Sequence, residues 1–379
     1  MKIDRSKLSH QQISNLEAAI KSYNERKLTS SASPPVLYIE LTQNCIARCT
    51  FCRRKRMNSP SYNMDDKTFD IILKDYVPYS VLVDLRGWGE SLVLPNFDEY
   101  VNKIARLGPK IKLNTTLGCG SKKALQSLID NNVYVSVTFD FADKDLYEKW
   151  REGICYDTVI RNLEFLTQEM KKKGTLKNNI RFLIAPLQKA NLGQVEKIMQ
   201  IAGRYGVSEV AIAPLVSSPV NPNLLRYNKR KTIEALREAA KYAKDAKIKL
   251  SLHLNPFKEL YIKEKAFDFC CHPWLYVFIN YKGDVLFCDH MMNPFFTRYR
   301  IGHITEDKAM VWNGKEAQRQ RSAHIQKKML KLPIKCMACY TGGRYADHEH
   351  EIDEQFSRWL VTEKDIEDKL RPRRDRPKR

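Results

Sequence analysis

The stretch that decides the fold reads Asn44-Cys45-Ile46-Ala47-Arg48-Cys49-Thr50-Phe51-Cys52. Its three cysteines follow a C-x3-C-x2-C spacing directly after an apolar run, so their thiols lie in one compact loop. A [4Fe-4S] cube takes four thiolates, and a loop that supplies three leaves one iron free to bind another molecule. Structural zinc sites use four ligands, usually in two separated pairs. Because no fourth ligand is nearby, the spacing favours an iron–sulfur cluster over zinc.

Length and composition are typical of an intracellular enzyme. The chain has 379 residues, 43% of them hydrophobic, which suits one large domain and a smaller one. We find no run of about 18 apolar residues and no signal-peptide core, so we expect a cytoplasmic protein with no membrane partner. Ten cysteines in that compartment favour metal ligation over disulfides.

The charge balance is strongly basic. The formal net charge is +21, of which Arg371 to Arg379 contribute six cations and one aspartate. Such a field attracts anions, which favours a small polar or anionic substrate. A solvated lysine-rich surface explains the charge equally well. A nonenzymatic nucleic-acid-binding metalloprotein remains an alternative, but the sequence shows no basic face interleaved with aromatic residues, and we do not expect nucleic acid as a partner.

Short β-branched runs alternate with helical stretches, as in βα units around a parallel sheet. The predicted strands are Val36–Leu41, Ser80–Leu85, Lys110–Asn114, Val133–Thr138, Ile180–Ala185 and Glu209–Pro214. The predicted helices include Lys122–Asn131, with Ser121 as its N-cap, Tyr156–Lys173 and Leu192–Tyr205. Six strands suit a partial barrel, in which reactive groups lie at the C-terminal ends of the strands.

Further motifs fall at those strand ends. The second strand leads into Arg86-Gly87-Trp88-Gly89-Glu90-Ser91, the third into Asn114-Thr115-Thr116, and the fourth into Thr138-Phe139-Asp140, followed by Arg151-Glu152-Gly153. With the cysteine loop, these motifs resemble the radical S-adenosylmethionine (SAM) superfamily. The resemblance implies a [4Fe-4S] cluster on Cys45, Cys49 and Cys52. It also implies SAM contacts from Gly87, Gly89, Glu90, Asn114, Thr138 and Arg151.

The same resemblance implies a reaction type. In that family the open iron chelates the amino and carboxylate groups of SAM, and one electron splits SAM into methionine and a 5'-deoxyadenosyl radical. The radical then abstracts hydrogen from the substrate. We expect a flavodoxin or ferredoxin-type reductant to supply the electron.

The C-terminal third carries a second cysteine pattern. It comprises Cys271-His272-Pro273-Trp274, the hairpin end from Gly283 to Cys288, Trp312-Asn313-Gly314 and Cys336-x2-Cys339. These motifs resemble the SPASM/Twitch domain of radical SAM enzymes. The resemblance implies one auxiliary [4Fe-4S] cluster on Cys271, Cys288, Cys336 and Cys339. We favour Cys271 over its neighbour Cys270 because two adjacent side chains can hardly reach one iron, and structural zinc stays an alternative at these positions.

The expected fold is therefore α/β, a partial (β/α)6 TIM-like barrel followed by a small SPASM/Twitch-like iron–sulfur domain. We expect an N-terminal helical extension over 1–34, the barrel over 35–255, the auxiliary domain over 256–350, and a C-terminal helix and basic tail over 351–379.

Single-cluster relatives include alcohol dehydrogenases whose auxiliary cluster accepts the substrate electron. We therefore expect dehydrogenation of a sugar, aminocyclitol or nucleotide-sugar-like substrate, with no catalytic residue assigned. One alternative is an epimerase, in which Cys119 or Cys155 donates a hydrogen atom. Another is an enzyme that modifies ribosomal peptides.

Overall fold

The computed structural model describes residues 3–52, 62–215, 221–252, 269–291, 298–333 and 336. Within these ranges the strands form one sheet in the order β10-β9-β8-β1-β2-β3-β4-β5-β6-β7. The strands are β1 (Val36–Ile39), β2 (Leu82–Leu85), β3 (Lys110–Thr115), β4 (Tyr134–Thr138), β5 (Ile180–Leu187), β6 (Glu209–Pro214), β7 (Lys249–Leu252), β8 (Tyr276–Ile279), β9 (Asp284–Leu286) and β10 (Gly302–His303).

The first seven strands pair in parallel, and helices alternate with most of them. All residues of β1 and β2 are buried, as in parallel sheets covered on both faces. The helices are α1 (His10–Asn24), α2 (Asp66–Asp75), α3 (Phe97–Ala105), α4 (Lys122–Asp130), α5 (Lys144–Trp150), α6 (Tyr156–Lys172), α7 (Leu176–Asn179), α8 (Val195–Arg204), α9 (Lys229–Asp245), α10 (His272–Leu275), α11 (Lys308–Asn313) and α12 (Lys315–Ile325).

The predicted α/β class and six strands are confirmed, with end shifts of one or two residues. Strand β5 continues through Pro186 to Leu187, beyond its predicted end, with a register irregularity after Ile184. The predicted strand ended at Ala185, directly before this proline, a residue that cannot donate to a sheet ladder. Strand β7 was missed, although apolar residues alternate through Ile248, Leu250 and Leu252.

The helix predictions agree similarly. Ser121 caps α4, its hydroxyl accepting from the Ala124 N–H at 3.1 Å, as predicted. The stretch predicted as one helix from Leu192 to Tyr205 begins within a 3-10 turn, and α8 starts at Val195. Among the residues described, no helix has the length and apolarity needed to cross a membrane.

The auxiliary region joins the same sheet. Strand β8 pairs in parallel with β1, and β9 and β10 add antiparallel strands beyond it. Strand β1 therefore has the barrel strand β2 on one side and the auxiliary strand β8 on the other. The predicted division at 255/256 separates two sequence segments that share this sheet.

Helix α1 is fixed to the barrel by buried amide side chains. Asn15 Nδ2 donates to the carbonyl oxygens of Ser33 at 2.9 Å and Tyr79 at 2.8 Å, and Asn15 Oδ1 accepts from the Ser33 N–H at 2.9 Å. Gln12 Nε2 donates to the Ser80 carbonyl at 2.8 Å. These contacts hold the N-terminal segment against the start of β2.

We predict that Asn15→Ala destabilises the protein by about 2 kcal/mol, because it leaves buried backbone groups without their partners. Thermal unfolding followed by circular dichroism should show a lower Tm. Gln11→Ala, at an exposed position of the same helix, is the matched control and should change Tm little. Equal Tm values for the two variants would contradict the anchoring role of Asn15.

Candidate cluster sites

The cysteine loop starts from the C-terminal end of β1. Cys49 is buried, whereas Cys45 and Cys52 are half-buried, and the Cys52 N–H donates to the Cys49 carbonyl at 3.1 Å. The turn thus holds two of the three thiols on one short piece of backbone. Three thiols of graded exposure at the edge of the sheet fit a cluster that has one iron open to another molecule.

The segment after α5 braces this loop. The Arg48 N–H donates to the Glu152 carbonyl at 2.7 Å, and the two side chains form an exposed ion pair at 3.0 Å. Gly153 has φ +90°, and a Cβ there would lie 2.4 Å from the Ile46 carbonyl oxygen. Glycine is therefore required where this segment meets the loop.

Arg151 contacts a cluster cysteine directly. Its Nη1 donates to Cys49 Sγ at 3.6 Å, its Nε donates to the buried Asp140 carboxylate at 2.9 Å, and its guanidinium lies over the Phe51 ring. Burial raises the pKa of the Cys49 thiol, and the Arg151 charge opposes that shift. The structure thus gives Arg151 a supporting role at the cysteine loop, and its contact with SAM stays a prediction.

The two glycines of the Arg86–Ser91 motif fit against the cysteine loop. A Cβ at Gly87 would lie 2.4 Å from Glu40 Cγ, and one at Gly89 would lie 2.4 Å from the Thr42 carbonyl oxygen. The Trp88 N–H between them donates to Glu40 Oε1 at 2.9 Å. The family resemblance implies that these glycines contact SAM, and their close approach to the loop is a second steric requirement that the sequence pattern does not reveal.

Glu90 links two strand ends. Its Oε2 accepts from the Thr116 N–H at 2.7 Å and the Thr116 hydroxyl at 2.9 Å, and its own N–H donates to the Asn44 carbonyl at 2.8 Å. Burial raises the pKa of this carboxyl group. Glu90 therefore connects the end of β2 with the end of β3 and with the cysteine loop, and its predicted contact with the SAM amino group remains a prediction.

Asn114 and Thr138 lie at the same edge. Asn114 Oδ1 is buried and accepts no hydrogen bond from the part of the chain that the structure describes, so this oxygen is available to a ligand. The Thr138 hydroxyl donates to the Thr115 carbonyl at 3.1 Å. The predicted SAM contacts are thus brought together beside the cysteine loop. Among them, Asn114 Oδ1 is a buried acceptor that has no donor within the described residues.

A cavity of about 330 Å³, including space open to solvent, lies in the auxiliary region. Its lining includes Cys270, Cys288 and Cys336, together with His272 and His324. Cys339, the remaining predicted ligand, lies outside the described residues. Over the described ranges, no three histidine, cysteine, aspartate or glutamate side chains lie close enough to hold a single metal ion.

The cavity favours Cys270 over Cys271, the reverse of the choice made from the sequence. Cys270 lines the cavity and contributes, with Cys336, to the electrostatic environment of Cys288. Cys271 has no exposed surface and packs in the hydrophobic core. Cys271 is the N-cap residue of α10, and adjacency in the sequence does not indicate which of the two thiols lines the cavity.

Polar groups surround Cys288. His272 Nδ1 lies 3.2 Å from Cys288 Sγ, and the His290 N–H donates to the same sulfur at 3.4 Å. Burial lowers the pKa of His272 to about 4 and that of His324 to about 3, so both rings are neutral at pH 7. The cavity therefore presents thiols among neutral rings, a donor set that fits an iron–sulfur cluster.

The two cysteines considered as hydrogen donors differ in environment. Cys119 is half-buried, and burial, together with the nearby Glu90 and Cys45, raises its pKa. Cys155 is exposed at the start of α6, where hydrogen bonding with Thr158 lowers its pKa. Of these two cysteines, Cys119 is the one that lies near the cysteine loop, because Cys45 is among the groups that affect its pKa.

We predict that iodoacetamide at pH 7 modifies Cys155 at least about tenfold faster than Cys119, because the thiolate is the reactive form and Cys155 is both exposed and more acidic. Peptide mapping by mass spectrometry measures both rates, with Cys155→Ser as the control. As pH rises, the rate at Cys155 should level off first. Equal rates at the two thiols would contradict these environments.

Comparison with known proteins agrees with this geometry. The model of the Radical SAM superfamily matches residues 39–200, and that of SPASM, an iron–sulfur cluster-binding domain, matches residues 270–340. No curated protein matches the sequence.

Solved structures share the fold at low identity. Streptococcus suis SuiB bound to S-adenosylmethionine is 17% identical with a TM-score of 0.59, covering 80% of this chain and 70% of SuiB. SuiB bound to its precursor peptide SuiA is 13% identical with a TM-score of 0.58, covering 81% and 70%. Native anSMEcpe with bound AdoMet is 14% identical with a TM-score of 0.58, covering 75% and 81%. The predicted partial barrel with a C-terminal iron–sulfur domain is thereby confirmed.

Proposed function

We propose that this chain, which belongs to the radical SAM superfamily and carries a C-terminal SPASM iron–sulfur domain, oxidises a small polar substrate. The substrate loses one hydrogen atom by abstraction, one electron to a single auxiliary cluster and one proton to solvent. The bound [4Fe-4S] cluster and SAM supply the 5'-deoxyadenosyl radical in this family. A flavodoxin or ferredoxin-type protein is the proposed electron donor. The substrate class proposed is a sugar, aminocyclitol or nucleotide-sugar.

Cys45, Cys49 and Cys52 would hold the first cluster. Arg151 supports this assignment because its guanidinium places a positive charge beside Cys49 Sγ, which favours a thiolate there. Asn114 Oδ1 would accept from a hydroxyl or amino group of SAM, because it is buried and otherwise lacks a donor in the described residues.

Cys270, Cys288, Cys336 and Cys339 would hold the auxiliary cluster. The first three line one cavity, and Cys339 follows Cys336 by the three-residue step of a C-x2-C pair. This set differs from the sequence prediction at one position, where Cys270 replaces Cys271.

We predict about eight iron atoms per chain in anaerobically reconstituted protein and about four in Cys270→Ala. Cys271→Ala is the matched control, one residue away, and should keep about eight. Iron analysis together with absorption spectra measures the difference. Loss of iron in Cys271→Ala with retention in Cys270→Ala would restore the sequence assignment. Stoichiometric zinc with four irons in the unmodified protein would point to a structural zinc site.

The observation that carries the oxidation proposal is the link between the two sites. Arg86, directly before the first glycine of the SAM motif, donates from Nη1 to Asp289 Oδ2 at 2.9 Å. Asp289 directly follows Cys288. An auxiliary cluster on Cys288 would therefore lie beside the barrel edge where SAM and substrate meet. A substrate radical formed there has an electron acceptor nearby.

The protein interior contains paired charges near this link. Lys112 Nζ lies 3.2 Å from Asp84 Oδ2, and both side chains are almost fully buried on the neighbouring strands β3 and β2. Buried charges are retained where they are paired and hydrogen-bonded. Such an interior suits a substrate with hydroxyl or amine groups better than an apolar one.

We predict that each turnover consumes one SAM and yields a product two hydrogens lighter, measured by mass spectrometry with a panel of aminocyclitols, sugars and nucleotide-sugars. Cys288→Ala should stop product formation while some 5'-deoxyadenosine still forms, because the first cluster is intact. Cys49→Ala should abolish both. A product of unchanged mass that gains solvent deuterium at one carbon would indicate an epimerase. If the reduced protein formed no 5'-deoxyadenosine with any substrate tested or without substrate, the enzyme proposal would be contradicted.

A peptide substrate is the second candidate. It is favoured by the fold shared with SuiB, one structure of which contains the precursor peptide SuiA. Transfer of deuterium from a labelled peptide into 5'-deoxyadenosine, with none from the panel of small molecules, would select this candidate.

A further inference from the structure

Arg86 stands between the two cluster sites without belonging to either set of proposed ligands. Its guanidinium donates to Asp289 Oδ2 at 2.9 Å, also pairs with the buried Asp84, and lies over the Tyr38 ring with its carbon 4.4 Å from the centroid. The Arg86 side chain is 16% exposed and that of Asp289 is 12% exposed. Water therefore screens this ion pair only weakly.

The partner carboxylate lies next to a proposed cluster ligand. The Cys288 thiol donates to Asp289 Oδ1 at 3.6 Å. A cysteine that binds iron has lost this proton, so the sulfur and the carboxylate both carry negative charge. An unpaired Asp289 would then oppose any electron added to the cluster, and would lower its reduction potential.

The surrounding charges balance when Arg86 is present. Asp84 and Asp289 supply two negative charges, and Arg86 and Lys112 supply two positive charges within one connected network. Removing the Arg86 charge would leave one net negative charge beside the cluster. Removing Asp289 as well would return the network to balance.

We infer that Arg86 is a positioning residue that neutralises Asp289 and thereby raises the reduction potential of the auxiliary cluster, so that this cluster can accept the substrate electron. The inference rests on the proposed function in one respect, that a cluster is bound through Cys288. Its test requires no substrate and no turnover. Arg86 acts on the cluster through Asp289 and through the loop that carries Cys288.

The test is an EPR-monitored redox titration of reconstituted full-length protein. The first cluster is identified as the signal that changes on addition of SAM, and the midpoint potential of the other signal is measured. Arg86→Gln should shift that potential to more negative values by at least about 59 mV, a tenfold change in the one-electron equilibrium. Asp289→Asn should shift it to more positive values, and the double variant should lie near the unmodified protein.

Two further variants separate charge from structure. Arg86→Lys keeps the charge and should keep the potential near that of the unmodified protein. Arg300→Gln removes a cation that pairs with Asp284 at 2.9 Å but is 56% exposed, so it should leave the potential unchanged. If Arg86→Gln does not fold, the shift in Asp289→Asn and the behaviour of Arg86→Lys decide the question.

The outcomes distinguish this inference from the proposed function. Four irons in the unmodified protein would mean that no auxiliary cluster exists, and the proposed function would fail. An intact auxiliary cluster whose potential is the same in Arg86→Gln, Asp289→Asn and the unmodified protein would overturn only the inference. Equal shifts in Arg86→Gln and Arg86→Lys would also overturn it, because the effect would then follow geometry and not charge.

Discussion

The close packing of the cysteine loop on the end of β2 is the constraint on which the rest of the site depends. Side chains at Gly87 or Gly89 would lie 2.4 Å from Glu40 or from the Thr42 carbonyl, so only glycine lets the two segments meet. Glu40 accepts the Trp88 N–H within this contact, and burial raises the pKa of Glu40 to about 7. A buried carboxyl group is thus tolerated because it fixes the backbone that carries the cysteines.

The position of β1 extends this constraint to the second site. Strand β1 lies between β2 and β8 in one sheet. The cysteine loop follows β1, the glycine motif follows β2, and the auxiliary hairpin begins with β8. Continuous backbone hydrogen bonding fixes their relative placement more firmly than a linker would. The Arg86–Asp289 ion pair then closes the remaining gap between the ends of β2 and β9.

The sequence predicted the features that local pattern controls. Cysteine spacing, strand periodicity and the Ser121 cap each depend on residues close in the chain, and each was recovered. Features that depend on distant contacts were not. The position of Cys270 in the cavity depends on packing beside Cys288 and Cys336, and the role of Arg151 depends on Asp140 and Cys49, which no spacing places beside it.

The strongly basic composition has little bearing on the interior. Where the barrel places buried charges face to face, they match, as in Arg151 with Asp140 and the network of Arg86 and Lys112 with Asp84 and Asp289. Burying an unmatched charge is costly, so folding itself selects this balance. Within the described ranges, most of the other lysine and arginine side chains are exposed, where their charge favours encounters with anions. Recognition by hydrogen bonding falls instead to buried groups at the barrel edge, and the open oxygen of Asn114 is the contact proposed there for SAM.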